Sequence, residues 1–268
     1  MNYQISTKSI AVLIVALCLA VLPVLVGCGG SDTVLALSAT ERYELGMKKF
    51  HDGDFLEAYG EFNTIKLQYP GSTVADSAQF YMGESRYRRE EYLIAAEDFM
   101  SVKRNYPASP LLAEAQYKVG LCYYSLVPRS TLDQRYTARA IDEFQAFLEY
   151  YPTHPLAEDA AARIQELNNK MAQKDFETAE LYMKMEYYKA ATYYYNSVFE
   201  KYHDTQFGEQ ALLGKVRALI ARKKFDDAAP DIDRFKELYP KSPRLGDLLL
   251  LEKELLNRSG GKNPSGKS

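Results

Sequence analysis

An all-α solenoid of paired helices is the fold this sequence predicts, and three observations predict it. The dipeptide Tyr-Pro recurs at 69–70, 106–107, 151–152 and 239–240, with Tyr202-His203 as a degenerate fifth copy. A small residue and two large apolar residues stand at fixed distances before every copy. Short polar segments, Asp52-Gly53-Asp54-Phe55, Arg89-Glu90-Glu91-Tyr92 and Lys223-Lys224-Phe225-Asp226, divide the units in two. With 47% apolar and 26% charged residues, the 268-residue chain is globular in composition, which excludes a collagen-like or disordered polymer.

Within each copy the spacing is helical. Twelve residues before the Pro or His203 stands alanine: Ala58, Ala95, Ala140, Ala191 and Ala228. Eight before stand Phe62, Phe99, Phe144, Tyr195 and Ile232, and five before stand Ile65, Val102, Phe147, Val198 and Phe235. Steps of four and then three residues put all three on one stripe of a helix, and proline then removes a backbone donor and stops it. Alanine admits a neighbouring helix closely, and the large side chains fill the groove beside it. Eight residues past the stop come Ala78, Ala115, Ala160, Ala211 and Leu248, each in a new helix; two of these helices carry Gly83 and Gly120. The unit is helix–turn–helix, stop, repeat. Five copies make a tetratricopeptide-type α-solenoid.

Copies are separated by 37, 45, 51 and 37 residues, counted from Pro70 through His203 to Pro240. The eight extra residues of the third copy fall in a polar loop at 126–136 between its helices. The fourteen extra of the fourth fall between Pro155 and Tyr188, where no Gly or Pro interrupts, so a long first helix is expected there. That helix links repeats one to three (41–155) to repeats four and five (156–256). Residues 257–268, rich in Gly, Ser and Lys, read as a flexible tail.

The N-terminus reads as an address with an anchor. Residues 10–26 are an unbroken apolar run preceded by Lys8, and Leu25-Val26-Gly27-Cys28 follows. Small residues before one Cys resemble the bacterial lipobox. That resemblance implies cleavage of a signal peptide at 1–27 and lipidation, including palmitate, on Cys28. Gly29 rather than Asp after it favours the outer membrane. Residues 28–40 form the lipidated tether, with 29–40 reaching roughly 40 Å when extended. The alternative is an ordinary transmembrane anchor with an incidental cysteine.

Chemistry is sparse. His51, His154 and His203 fall at turns or helix ends without metal-ligand spacing, and no phosphate loop, zincin motif or nucleophile elbow occurs. Cys122 lies in an apolar helix and reads as a buried small hydrophobe. The acidic pairs Glu90-Glu91 and Asp226-Asp227 read as solvated turn ends. The expectation is a protein that is not an enzyme, needs no cofactor or metal, and, at net charge −3, does not bind nucleic acid. Tyrosine is the exception, with 22 residues against no tryptophan. Tyr187, Tyr188, Tyr193, Tyr194 and Tyr195 crowd one repeat; Tyr43, Tyr59, Tyr81 and Tyr87 are spread over the first two. Tyr195 occupies a core slot, whereas Tyr193 and Tyr194 lie off the core stripe and are candidates to face a partner.

Several stretches resemble the BamD family of outer-membrane β-barrel assembly lipoproteins. They are Gln68-Tyr69-Pro70, then Pro128-Arg129-Ser130 with Asp133 and Ala138-Arg139-Ala140, then Ala179-Glu180 with Tyr182 through Tyr202 and Asp204-Thr205-Gln206. Two residues depart from the family pattern: His203 replaces the proline after Tyr202, and Tyr194 stands where an interface arginine is expected. The resemblance implies a lipid-anchored scaffold at the periplasmic face of the outer membrane. Its N-terminal repeats would receive unfolded outer-membrane proteins, and its C-terminal repeats would dock onto the periplasmic domains of the barrel-forming assembly subunit. The substrate candidates are Leu56 and Tyr69, matched to family positions, with Tyr81 and Tyr87 from their repeat. The docking candidates are Tyr187, Tyr188, Tyr193 and Tyr194. Competing readings are another periplasmic repeat scaffold, coordinating cell division or peptidoglycan synthesis, and an enzyme built on repeat-borne carboxylates.

Overall fold

The computed structural model describes residues 37–259. The readings made for residues 1–36, including the signal peptide and lipidation at Cys28, and for 260–268 lie outside the described residues. Eleven helices and no strand occur among the described residues. They are α1 Ala39–Asp52, α2 Phe55–Gln68, α3 Ala75–Arg88, α4 Tyr92–Asn105, α5 Leu112–Ser125, α6 Arg135–Tyr150, α7 Ala157–Lys184, α8 Tyr188–Tyr202, α9 Gly208–Ala221, α10 Phe225–Leu238 and α11 Leu245–Arg258. Each helix packs on the next, and odd-numbered helices also touch across repeats at α1–α3, α7–α9 and α9–α11. Five helical pairs and one terminal helix therefore form an all-α solenoid of tetratricopeptide type.

All the periodic positions are interior. The alanines twelve before each stop are fully buried, and the ten large residues eight and five before it are at most 2% exposed. Ala78, Ala115, Ala160, Ala211 and Leu248 are buried as well. Sixteen residues before the large ring in the first two repeats stands a glycine, Gly46 or Gly83, and Gly120 takes the same place before the third-copy insertion. A Cβ there would meet the rings of Phe62, Phe99 and Phe144 at 2.7–2.8 Å, so these glycines let a phenylalanine lie directly on helix backbone.

Helix ends follow the prolines. Tyr69, Tyr106, Tyr151 and Tyr239 cap their helices at φ between −126° and −133° and ψ between 49° and 63°. A residue before proline is pushed out of the helical region. Tyr202 has no proline after it, and α8 includes it, with His203 still right-handed helical at the cap. At the other end of four pairs the chain turns through a left-handed residue: Gly53, Glu90, Glu186 and Lys223, at φ from 58° to 88°. In each turn the next N–H donates to a carbonyl five residues back, Asp54 to Lys49, Glu91 to Arg86, Tyr187 to Tyr182 and Lys224 to Leu219. This satisfies carbonyls that the helix end leaves open.

Three boundaries differ from the sequence reading, one of them at the third-copy loop, whose Arg135 and Tyr136 already belong to α6. Ala39 and Thr40, read as the end of the tether, already belong to α1. The reason is a capping box in which Ser38 and Glu41 satisfy each other's backbone donors. Asn257 and Arg258, read as the start of the tail, continue α11, because no Gly or Pro intervenes before Gly260. The loop at 126–134 is held by buried Gln134, whose Nε2 donates to the carbonyls of Arg129 and Leu132 at 2.8 and 3.1 Å. The long helix α7 has 28 residues, twice the 14 of most others. Its Ala160 and Leu167 close the core of repeat three, while Ala172 and Ala179 belong to that of repeats four and five. One helix thus serves two repeats.

Candidate functional site

The residue immediately before the large core side chain (Phe62, Phe99, Phe144, Tyr195 or Ile232) sets each repeat's polar character. It is Glu61, Asp98, Glu143, Tyr194 and Asp231 in repeats one to five. The four carboxylates are partnered. Glu61 binds Arg42 and Lys49 at 2.8 and 2.9 Å, and Asp98 binds Arg86 at 2.8 Å. Glu143 binds Arg139 at 3.0 Å and accepts from Gln116, and Asp231 binds Lys215 at 3.0 Å. Burial works against the charge of Glu61, but the bonds from Lys49 and Arg42 outweigh it and hold its carboxyl below the usual range. Burial dominates at Asp98, pushing its carboxyl upward despite Arg86.

Repeat four breaks this rule. The place of Arg86 is taken by Tyr182 and that of Asp98 by Tyr194, and their rings stack at 5.5 Å and 16°. An ion pair between paired helices has become an aromatic pair, which needs no counter-charge and leaves its face apolar. Tyr193 packs edge-on to Tyr194 at 5.4 Å, and Tyr187 lies 6.4 Å from Tyr182. Tyr195, in the core slot, donates to Glu180; burial and this bond raise its pKa, so the hydroxyl stays protonated.

All four docking candidates, Tyr187, Tyr188, Tyr193 and Tyr194, line one groove of about 760 Å³. Tyr193 is 70% and Tyr187 58% exposed, whereas Tyr188 and Tyr194 are half-buried and form its base. The chain turn at Glu186 and the first turn of α8 make one wall. The other comes from repeat five: Arg222, at the end of α9, donates from Nη1 to Thr192 Oγ1 at 3.3 Å. Arg222, Lys189 and Glu186 were not singled out in the sequence. No sequence signal marks Arg222, because it lies one repeat away from the tyrosines it serves and only the stacking of repeats brings it into their groove.

The substrate candidates are engaged separately. Leu56 is 58% exposed on the first turn of α2. Tyr69 is half-buried and its hydroxyl donates to the Leu37 carbonyl at 3.0 Å. Tyr81 is wedged among Tyr43, Phe50, Phe62 and Phe80, with ring centroids 5.4–6.2 Å apart, and bridges the cores of repeats one and two. Tyr87 packs on Tyr92 at 5.2 Å, and its hydroxyl lies 3.1 Å from Ser125 Oγ. Leu93 and Ile94 extend the exposed apolar surface at 48% and 50%, and Leu93 occupies in α4 the place of Leu56 in α2.

Cys122 is fully buried, its thiol pushed up to about 12 by burial and the nearby Glu84. Among the described residues no three His, Cys, Asp or Glu side chains come together to hold a metal, and no helix is long and apolar enough to cross a membrane.

A family model described as YfiO, outer membrane lipoprotein, matches residues 36–222, a span that contains the whole tyrosine groove. The outer membrane protein assembly factor BamD of Pasteurella multocida is 24% identical over 195 residues, 69% of this chain and 75% of that protein. BamD of Vibrio cholerae is 30% identical over 117 residues, 44% of this chain and 47% of that protein. Among solved structures, the TPR2AB domain of yeast Sti1 in its pHSP90 complex covers 84% of this chain and 92% of its own at 16% identity, TM-score 0.43. A tetratricopeptide repeat protein from Parabacteroides merdae covers 83% and 74% at 15% identity, TM-score 0.36.

Proposed function

Because this chain belongs to the YfiO family of outer membrane lipoproteins, we propose that it is a non-catalytic assembly factor for outer-membrane proteins. In this reading it is held at the periplasmic face of the outer membrane by lipid on Cys28. Residues 1–27 are removed, and 28–38 tether the solenoid. The C-terminal repeats dock onto the periplasmic domains of the barrel-forming subunit. The N-terminal repeats receive unfolded outer-membrane proteins at Leu56, Tyr69 and Tyr87, while Tyr81, packed among Tyr43, Phe50, Phe62 and Phe80, supports that surface from within. Exposed Leu56, Leu93 and Ile94 support the last point, because unfolded clients offer apolar side chains to such a surface.

The observation that carries the docking assignment is the exchange of an ion pair for stacked tyrosines in repeat four. It opens an apolar groove on the face of a rigid solenoid, the type of surface on which repeat proteins bind extended segments. Tyrosine suits a docking face because its ring buries apolar area while its hydroxyl tolerates water. The test is affinity purification from detergent-solubilised membranes. Tyr193→Ala with Tyr194→Ala lowers recovery of the barrel-forming subunit while the helical circular-dichroism spectrum is retained; unchanged recovery removes these residues from the interface.

A further inference from the structure

The groove does not end at Arg222. It continues into a second depression of about 580 Å³, and Lys189, Tyr193 and Arg222 line both. Tyr187, Tyr188 and Tyr194 line only the first, while Asp226 and Asp227 on the first turn of α10 line only the second. The trough therefore has a chemical direction: tyrosines, then two cations, then two carboxylates. Glu186 sits exposed on the rim at the tyrosine end.

The charges of this trough are available. Lys215 and Asp231, on the wall of the second depression, pair with each other at 3.0 Å. Among the described residues no ion pair engages Lys189, Arg222, Asp226 or Asp227. Arg222 is half-buried and spends one donor on Thr192, leaving most of its guanidinium for an incoming acceptor. A half-buried guanidinium beside aromatic rings attracts a carboxylate more strongly than a fully hydrated one, because the local dielectric is lower.

Resting on the docking role assigned above, we propose that the occupant is a single segment of the barrel-forming subunit with apolar or aromatic side chains, then a carboxylate, then a cation. The apolar part lies on the tyrosines, the carboxylate meets Arg222 and Lys189, and the cation meets Asp226 and Asp227. The reverse charge order sets like charges opposite each other and is rejected, so the trough fixes the direction in which the segment lies.

The test is equilibrium binding of the full lipidated chain, in detergent, to purified periplasmic domains of the barrel-forming subunit at several salt concentrations. Arg222→Glu weakens binding by about tenfold or more and Arg222→Lys by less than about threefold. Asp226→Asn with Asp227→Asn weakens it by about threefold and flattens its salt dependence. Lys189→Glu, at an exposed position, gives a loss in the same direction and serves if Arg222→Glu does not fold. If Tyr193→Ala weakens binding while every charge variant stays within about twofold, the charge order is wrong and the docking assignment stands. If all of them stay within about twofold, the docking assignment itself falls. A photocrosslinker at Asn196, which lines the second depression, is expected to capture a segment of the barrel-forming subunit carrying neighbouring acidic and basic residues. Capture of unfolded client chains instead overturns the proposed occupant.

Discussion

Gly83 places its bare Cα hydrogens against the ring of Phe99, and a methyl there would stand 2.8 Å from that ring. Because Phe99 is fully buried it has nowhere to go. Gly83→Ala is therefore expected to destabilise the solenoid by about 1–3 kcal/mol in urea unfolding. Gly60, in α2, has nothing within 4 Å of a built Cβ, so Gly60→Ala is expected to stabilise by up to about 1 kcal/mol through helix propensity. Equal effects at the two sites would contradict the packing account. Glu61 supplies a pH test. Its pKa is lowered in the folded state, so its contribution is present above the unfolded glutamate value of about 4.3 and is lost as pH falls below it. Unfolding free energy should decline from about pH 5 toward 3, and Glu61→Gln should decline less steeply; parallel curves would show that the pairs with Arg42 and Lys49 do not matter. At this scale the core was legible from sequence. The buried alanines and rings repeat at constant offsets, and burial of one helical stripe is what creates such a pattern.

Helix α7 joins two bodies of core that share no other helix. Its first half completes repeat three and its second half opens repeat four. At about 1.5 Å per residue it spans roughly 42 Å, so a break in its middle should uncouple the halves rather than unfold both. Lys170→Pro removes one helical hydrogen bond and clashes with the preceding turn, at a cost of about 3 kcal/mol or more. Calorimetry is expected to show one transition for the natural chain and two for this variant; a single transition of unchanged width in the variant would mean that α7 does not carry the coupling. The length of α7 could be read from the absence of Gly and Pro between 155 and 188. The turns at 52–55, 89–92 and 223–226 could be read too, but their left-handed conformation could not, because only Gly53 advertises it, while Glu90, Glu186 and Lys223 adopt it under the constraint of the packed pairs. The start of α1 escaped notice for a similar reason: Ser38 and Glu41 form a capping box ahead of the periodic stripe.

Across the whole molecule, four repeats hold their helices together with partnered carboxylates and one does so with stacked tyrosines. The tyrosine crowding of repeat four was plain in the sequence, and the groove gathers the four residues chosen for docking. Its second wall was not, because Arg222 arrives from the following repeat, and only the solenoid's stacking brings it into the groove that Tyr187 lines. The substrate candidates illustrate the opposite case. Tyr81 is as prominent in sequence as Tyr193, yet it is packed among four other rings. A tyrosine's number of neighbours on its own helix does not reveal which side the next helix will cover.

One comparison separates a groove that docks from one that merely packs. Tyr182→Arg with Tyr194→Asp would copy into repeat four the Arg86–Asp98 pair that repeat two already uses, keeping the helices joined while removing the apolar face. The lipidated variant should retain its helical spectrum and its thermal midpoint to within about 3 °C, corresponding to about 1 kcal/mol for a chain of this size. Its recovery of the barrel-forming subunit from solubilised membranes should fall at least about tenfold. Full recovery by a folded variant would contradict the account, because the partner would then be held by some other surface of the solenoid.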